Sequence, residues 1–283
     1  MSTTTAPATG YDPRRTLPLR VELVRQLRRR RTQVTFGLVA LLPVILWIAF
    51  ELADDGPPTG SLNLVDLAKG SAANFAVFAQ FASAGFLLVV VVALFFGDTV
   101  ASEASWSSLR YLLAAPIPRA RLLRQKAIVA AVLSLAAILL LPMVALGVGT
   151  LAYGTGNLVT PTGESMSFAT AAGRVLLGAV YIGLHLMWVA ALAMLLSVST
   201  DAPLGAVGGA VMVSIVSQIL DQITALEDLR DVLPTHYANA WAALLAQQVD
   251  WGDITRGVFS AALYAAVLGA VAVWRFGRKD VTS

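Results

Sequence analysis

The sequence predicts an all-α membrane protein with six transmembrane helices, on three observations. Of its 283 residues, 57% are hydrophobic and 13% are charged; an average soluble domain carries about 25% charged residues. Six apolar runs reach or approach the length of a bilayer crossing, about 20 residues with a range of roughly 17–25. Lys and Arg collect on alternate connections between those runs. Two smaller helices complete the expected fold: an N-terminal amphipathic helix lying in the interface, and a short amphipathic helix between spans two and three.

Residues 1–16 are rich in Ser, Thr, Ala, Pro and Gly, and read as a disordered cytoplasmic tail. No secretory signal peptide is expected, because the first apolar run starts late and is too long. Residues 17–32 place Leu17, Val21, Val24 and Leu27 on one helical face, surrounded by Arg20, Arg25 and Arg28 to Arg31. That pattern suits an interfacial helix whose arginines, Arg25, Arg28 and Arg29 among them, meet anionic headgroups. A plain basic flank that sets topology is the other reading.

The six spans are expected at 34–50, 75–96, 127–153, 175–198, 204–220 and 257–274, within a membrane domain of 33–276. Pro43 and Pro142 fall inside spans and are candidate kinks. With the N-terminus cytoplasmic, eight basic residues precede the first span, five lie in 110–126 and three follow the last span. Only Lys69, Arg174, Arg230 and Arg256 would face outward, so both termini are expected inside, with 277–283 a second tail. Among the outer segments, 221–256 is expected to hold short helices dipping into the membrane, with Trp241 and Trp251 at its interface.

Residues 97–126 separate spans two and three. Trp106, Leu109, Leu112 and Leu113 share one helical face, Ser102 or Ser105 is a candidate cap, and Pro116 and Pro118 end the pattern. Arg110, Arg119, Arg121, Arg124 and Lys126 mark this connection as basic. A helix at about 103–116, held between two spans, suits docking against another protein. Glu103 is either a solvated flank or the salt-bridge partner of an arginine, on the interfacial helix or on a docking protein; Asp98 is a second carboxylate there.

Most chemistry is missing. There is no cysteine, no phosphate-binding glycine loop, no HExxH and no GxSxG, and the two histidines are far apart. GAVGGA at 205–210 reads as small-residue helix packing. His185 reads as a neutral, hydrogen-bonded histidine or as a cavity group, and Asp221 with Gln218 and Gln222 marks the outer end of span five. Phe78, Phe81, His185, Met212 and Gln218 are the candidates for a substrate cavity, while the apolar ones suit a lipid-facing wall equally well. The scarcity of intramembrane charge weighs against an ion-coupled secondary transporter, which needs coupling-ion sites near the midplane. No nucleophile–base pair supports a membrane enzyme acting on lipids. No metal site, catalytic residue or nucleic-acid partner is expected.

Glu103, the run Ser108-Leu109-Arg110-Tyr111-Leu112-Leu113, and Pro116-Ile117-Pro118-Arg119 with Leu122-Leu123 resemble the inner loop of type-2 ATP-binding-cassette (ABC) exporter permeases. Leu233 to Tyr237 followed by Trp241, and the ending from Phe276 to Asp280, are similar to that family's outer segment and tail. One departure is Ser107-Ser108, where members often carry Gly-Thr. The resemblance implies that Glu103, Trp106, Leu109, Arg110, Leu112, Leu113 and Pro116 form the coupling helix that docks on an ATPase subunit. It also makes 17–32 a connecting helix, and implies two ATPase subunits binding ATP and Mg²⁺ beside a second permease, identical or paralogous. The chain itself would bind no cofactor and would export drugs, antibiotics or lipids across the cell membrane.

Overall fold

The computed structural model describes residues 19–52, 64–105 and 118–279. The tail expected at 1–16, Leu17, and the docking residues Trp106, Leu109, Arg110, Leu112, Leu113 and Pro116 lie outside the described residues. Chain order gives α1 (Leu19–Leu27), α2 (Arg30–Leu52), α3 (Leu64–Lys69), α4 (Ala72–Ala84), α5 (Leu87–Ser105) and α6 (Arg119–Tyr153). A small antiparallel hairpin follows, β1 (Leu158–Val159) and β2 (Ser165–Met166), then α7 (Phe168–His185), α8 (Met187–Ser199) and α9 (Pro203–Asp221). Two 3₁₀ helices, Thr224–Val232 and Ala240–Leu245, lead to α10 (Gly252–Arg278).

Six of these helical stretches are long and apolar enough to cross a membrane: α2, α5, α6, α7 with α8, α9 and α10. They pack into one apolar core. Burial sorts their positions. In α5, 72% of the most apolar stretch is buried, against 17% in α10 and 22% in α2 and α9. The α5 helix is therefore central, and the three others turn wide apolar faces outward.

Several boundaries differ from the sequence reading. Span two divides into α4 and α5 at Gly85–Phe86, because the Gly85 carbonyl accepts a hydrogen bond from the Gln218 side chain at 2.8 Å. A side chain entering the helical ladder is a recognised cause of such breaks. The helix then continues through Gly97 and Asp98 to Ser105, so those residues belong to the span. Ser102 and Ser105 lie in the last turn of α5, where their hydroxyls donate backward to the carbonyls of Asp98 (2.7 Å) and Ser102 (2.9 Å). The α6 helix starts at Arg119 rather than 127, since nothing between Pro118 and the apolar run breaks it. Its 35 residues extend about 52 Å at 1.5 Å per residue, and it runs unbroken through Pro142, as α2 does through Pro43.

Trp241, expected at the membrane interface, is instead fully buried and packs on Phe81 at 4.3 Å; Trp251 is exposed. In GAVGGA, Ala206 and Ala210 are the buried positions, while Gly205 and Gly208 look outward. The close approach is made from the other side. A Cβ on Gly97 of α5 would sit 2.9 Å from the Val207 side chain of α9. Gly97→Val is expected to cost about 1–3 kcal/mol through overpacking, read as a lower midpoint of denaturant unfolding in lipid nanodiscs.

Both described termini lie at one end of the bundle. Arg119 at the start of α6 donates to the carbonyls of Gly277 (3.1 Å) and Lys279 (2.8 Å), and Lys279 pairs with Asp201 at 2.7 Å. The opposite end carries the β-hairpin. There the Ala72 amide bonds the Gly154 carbonyl at 3.0 Å, and the Tyr153 hydroxyl meets Glu51 at 3.4 Å.

Candidate functional site

At the α1 end, side chains from three helices converge in a buried charge network. The Lys126 ammonium of α6 lies 2.6 Å from Oε1 of Glu103 on α5, and both side chains are about 5% exposed or less. The same oxygen accepts from the Arg25 guanidinium of α1 at 2.9 Å. Arg25 also bonds Glu22 at 2.8 Å, Gln26 donates to Glu22 at 3.0 Å, and Lys126 is 3.9 Å from Glu22. A second cluster lies beside it, where Asp98 of α5 pairs with Arg31 and stands 3.6 Å from Arg29.

The local sequence explains why α1 takes part. Glu22 and Gln26 are four residues apart and face inward together. Val21, Val24 and Leu27 are exposed on the opposite side, so the apolar stripe faces away from the bundle. Arg25 and Arg29, expected at headgroups, each reach a carboxylate of α5; Arg28 is exposed. Arg30 and Arg31 belong to α2 and not to α1.

Burial by itself would raise the Glu22 carboxyl. The Arg25 hydrogen bond, the Lys126 charge and the Gln26 amide outweigh it and hold Glu22 below the ordinary value of 4.5. The Arg25 guanidinium, despite its burial, is pushed up by Glu22 and Glu103. A carboxyl lowered on folding contributes stability above its free-chain value and loses it as the pH falls through the lower folded value. α1 is therefore expected to loosen only below about pH 4.5, the ordinary carboxyl value. A spin label on α1 would report this mobility, and Glu22→Gln should loosen the helix at neutral pH.

The remaining candidates separate. Phe78 and Phe81 border a cavity at the β-hairpin end. His185 does not line it. It is buried at the α7–α8 junction, stacked on Tyr181 with ring centroids 5.9 Å apart, and its Nδ1 lacks a hydrogen-bond partner among the described residues. The interhelical hydrogen bond expected for His185 is thus absent at that atom. Met212 is 60% exposed on the outward face of α9, and Gln218 serves the Gly85 carbonyl. Asp221 is paired, with His236 Nδ1 at 2.7 Å and Arg230 at 3.7 Å. Among the described residues, no group of three or more His, Asp or Glu is placed to hold a metal.

Glu22, Gln26 and Lys126 were the network members that sequence reasoning missed. The available signal was Glu22 itself, the lone acid in a segment crowded with arginine.

The fold and this site define a multi-pass helical membrane protein whose N-terminal helix α1 is tied to α5 and α6 by part-buried ion pairs. A family described as "Protein of unknown function (DUF2705)" matches residues 49–282, and the chain belongs to that family. No curated protein matches it.

Proposed function

We propose that the chain is the permease subunit of an ATP-driven ABC exporter that carries hydrophobic or amphipathic molecules across the cell membrane. The observation that carries this reading is the shared Glu103 carboxylate. Residues 106–117 connect α5 to α6, and Glu103 and Lys126 flank that connection on the two helices. Through Glu103 both helices are tied to α1. A push on the connection would therefore reach the most buried span and the interfacial helix together, which is what a transmission element needs. The basic bias of the sequence puts this end in the cytoplasm. Two copies of the permease, or one with a paralogue, would work with two ATPase subunits that bind ATP and Mg²⁺. ATPase closure would then switch a two-state bundle between inward- and outward-facing forms.

The test is co-expression with candidate ABC ATPases, followed by co-purification and measurement of ATP hydrolysis in nanodiscs. Association that stimulates hydrolysis supports the reading. A chain that transports on an ion gradient with no ATPase present would replace it.

A further inference from the structure

The cavity at the β-hairpin end is about 680 Å³, within the range of roughly 300–1,000 Å³ common for ligand sites. Its lining comes from α3, α4, the hairpin and the 3₁₀ helix 240–245, with Phe78, Phe81, Leu67, Leu158 and Leu245 as its large side chains. The walls are pinned. Asn74 of α4 grips β1 through both amide atoms, donating to the Val159 carbonyl at 2.7 Å and accepting from its amide at 3.0 Å. The 3₁₀ segment is held by Arg174, which donates to the carbonyls of Leu244 (3.0 Å) and Ala246. The Gln247 amide donates to Glu164 Oε2 at 3.1 Å and ties that segment to the hairpin. Phe81 rests on buried Trp241.

The polar groups are sparse and mostly committed. Thr160 is engaged with Thr162 at 2.8 Å and with the Glu164 amide at 3.1 Å, and Asn74 with β1. Among the described lining residues only Glu164 carries a formal charge, and it is negative. A rigid apolar chamber with one carboxylate favours a ligand with an apolar body and a positive head, and disfavours an anionic head.

We propose that this cavity binds a cationic amphiphile, its apolar body between Phe78, Phe81 and Leu158 and its ammonium head at Glu164. This deepens the export reading by naming a class of cargo. Binding is measured on the chain alone, so its failure is distinguishable from a failure of ATPase docking.

The experiment uses the full-length chain in phosphatidylcholine nanodiscs and two photoreactive probes, a diazirine-bearing dodecyltrimethylammonium and a diazirine-bearing dodecyl sulfate. The ammonium probe should label peptides carrying residues 77–82 and 158–164, and unlabelled dodecyltrimethylammonium should compete. Ala82 is an exposed lining residue, so Ala82→Trp should fill space without unfolding the bundle and lower labelling about tenfold. Glu164→Gln keeps an acceptor for the Gln247 amide and should abolish the preference for ammonium over sulfate. This second variant reads the site without any steric change. Labelling spread along the exposed faces of α2 and α10, equal labelling of both probes by the wild type, or labelling undiminished in Ala82→Trp would overturn the proposal.

Discussion

Lys126→Met is expected to destabilise the folded chain by about 3–5 kcal/mol, the cost of breaking a buried pair from one side. Lys126 is 4% exposed and 2.6 Å from Glu103, which is 5% exposed. Removing the ammonium takes the nearest cation from Glu103 in a site largely closed to water, while Arg25 still faces the carboxylate at 2.9 Å. The penalty should fall in the double variant Glu103→Gln with Lys126→Met, because the side chain that lost its lysine is then neutral. Denaturant unfolding in micelles measures both. The chain has no cysteine, so a single Leu23→Cys gives one labelling site on α1. Its reaction rate should rise in Lys126→Met if α1 is released. An unfolding midpoint equal to the wild type would show that the network is not a lock.

On the export reading, Leu109→Asp combined with Arg110→Glu is expected to weaken ATPase association about 30-fold or more while leaving the bundle folded. Both residues lie in the connection between α5 and α6, on the helical pattern that resembles a coupling helix. Losing an apolar anchor at an interface commonly costs 2 kcal/mol or more, which is about 30-fold in affinity. Stimulated ATP hydrolysis should fall accordingly, and the unfolding midpoint should not move. If complex formation and stimulation survive, these residues do not dock an ATPase. Comparing this variant with Lys126→Met separates two tasks: the first should spoil contact with the partner, the second the delivery of force to α5 and α1.

The spans were legible because a bilayer imposes a simple rule on composition and length. Five of the apolar runs reappear as helical stretches of crossing length, and the second reappears divided, its first half in α4 and its end in α5. Their ends were less legible, because hydropathy falls where a polar residue is paired. Asp98 and Glu103 lowered the signal, yet both sit on the buried surface of α5 opposite cations from other helices. The Arg25–Glu103 pair was accessible to reasoning, since basic and acidic flanks at one membrane face tend to meet. Lys126 was not, because nothing local distinguishes a lysine that reaches into a bundle from one that snorkels to water. Trp241 misled for a related reason. Its indole suits an interface, and its burial depends on Phe81, far away in sequence. The break at Gly85 depends on Gln218, and no local pattern announces it.

The clamp between Arg119 and the last carbonyls of α10 bears on how motion in this protein can be watched. Because Lys279 is held to the start of α6 and, through Asp201, to the turn before α9, a fluorophore on the last turn of α10 would ride with those elements. Energy transfer from such a dye to one on α3 would test the proposed switch between inward- and outward-facing forms as a change in colour.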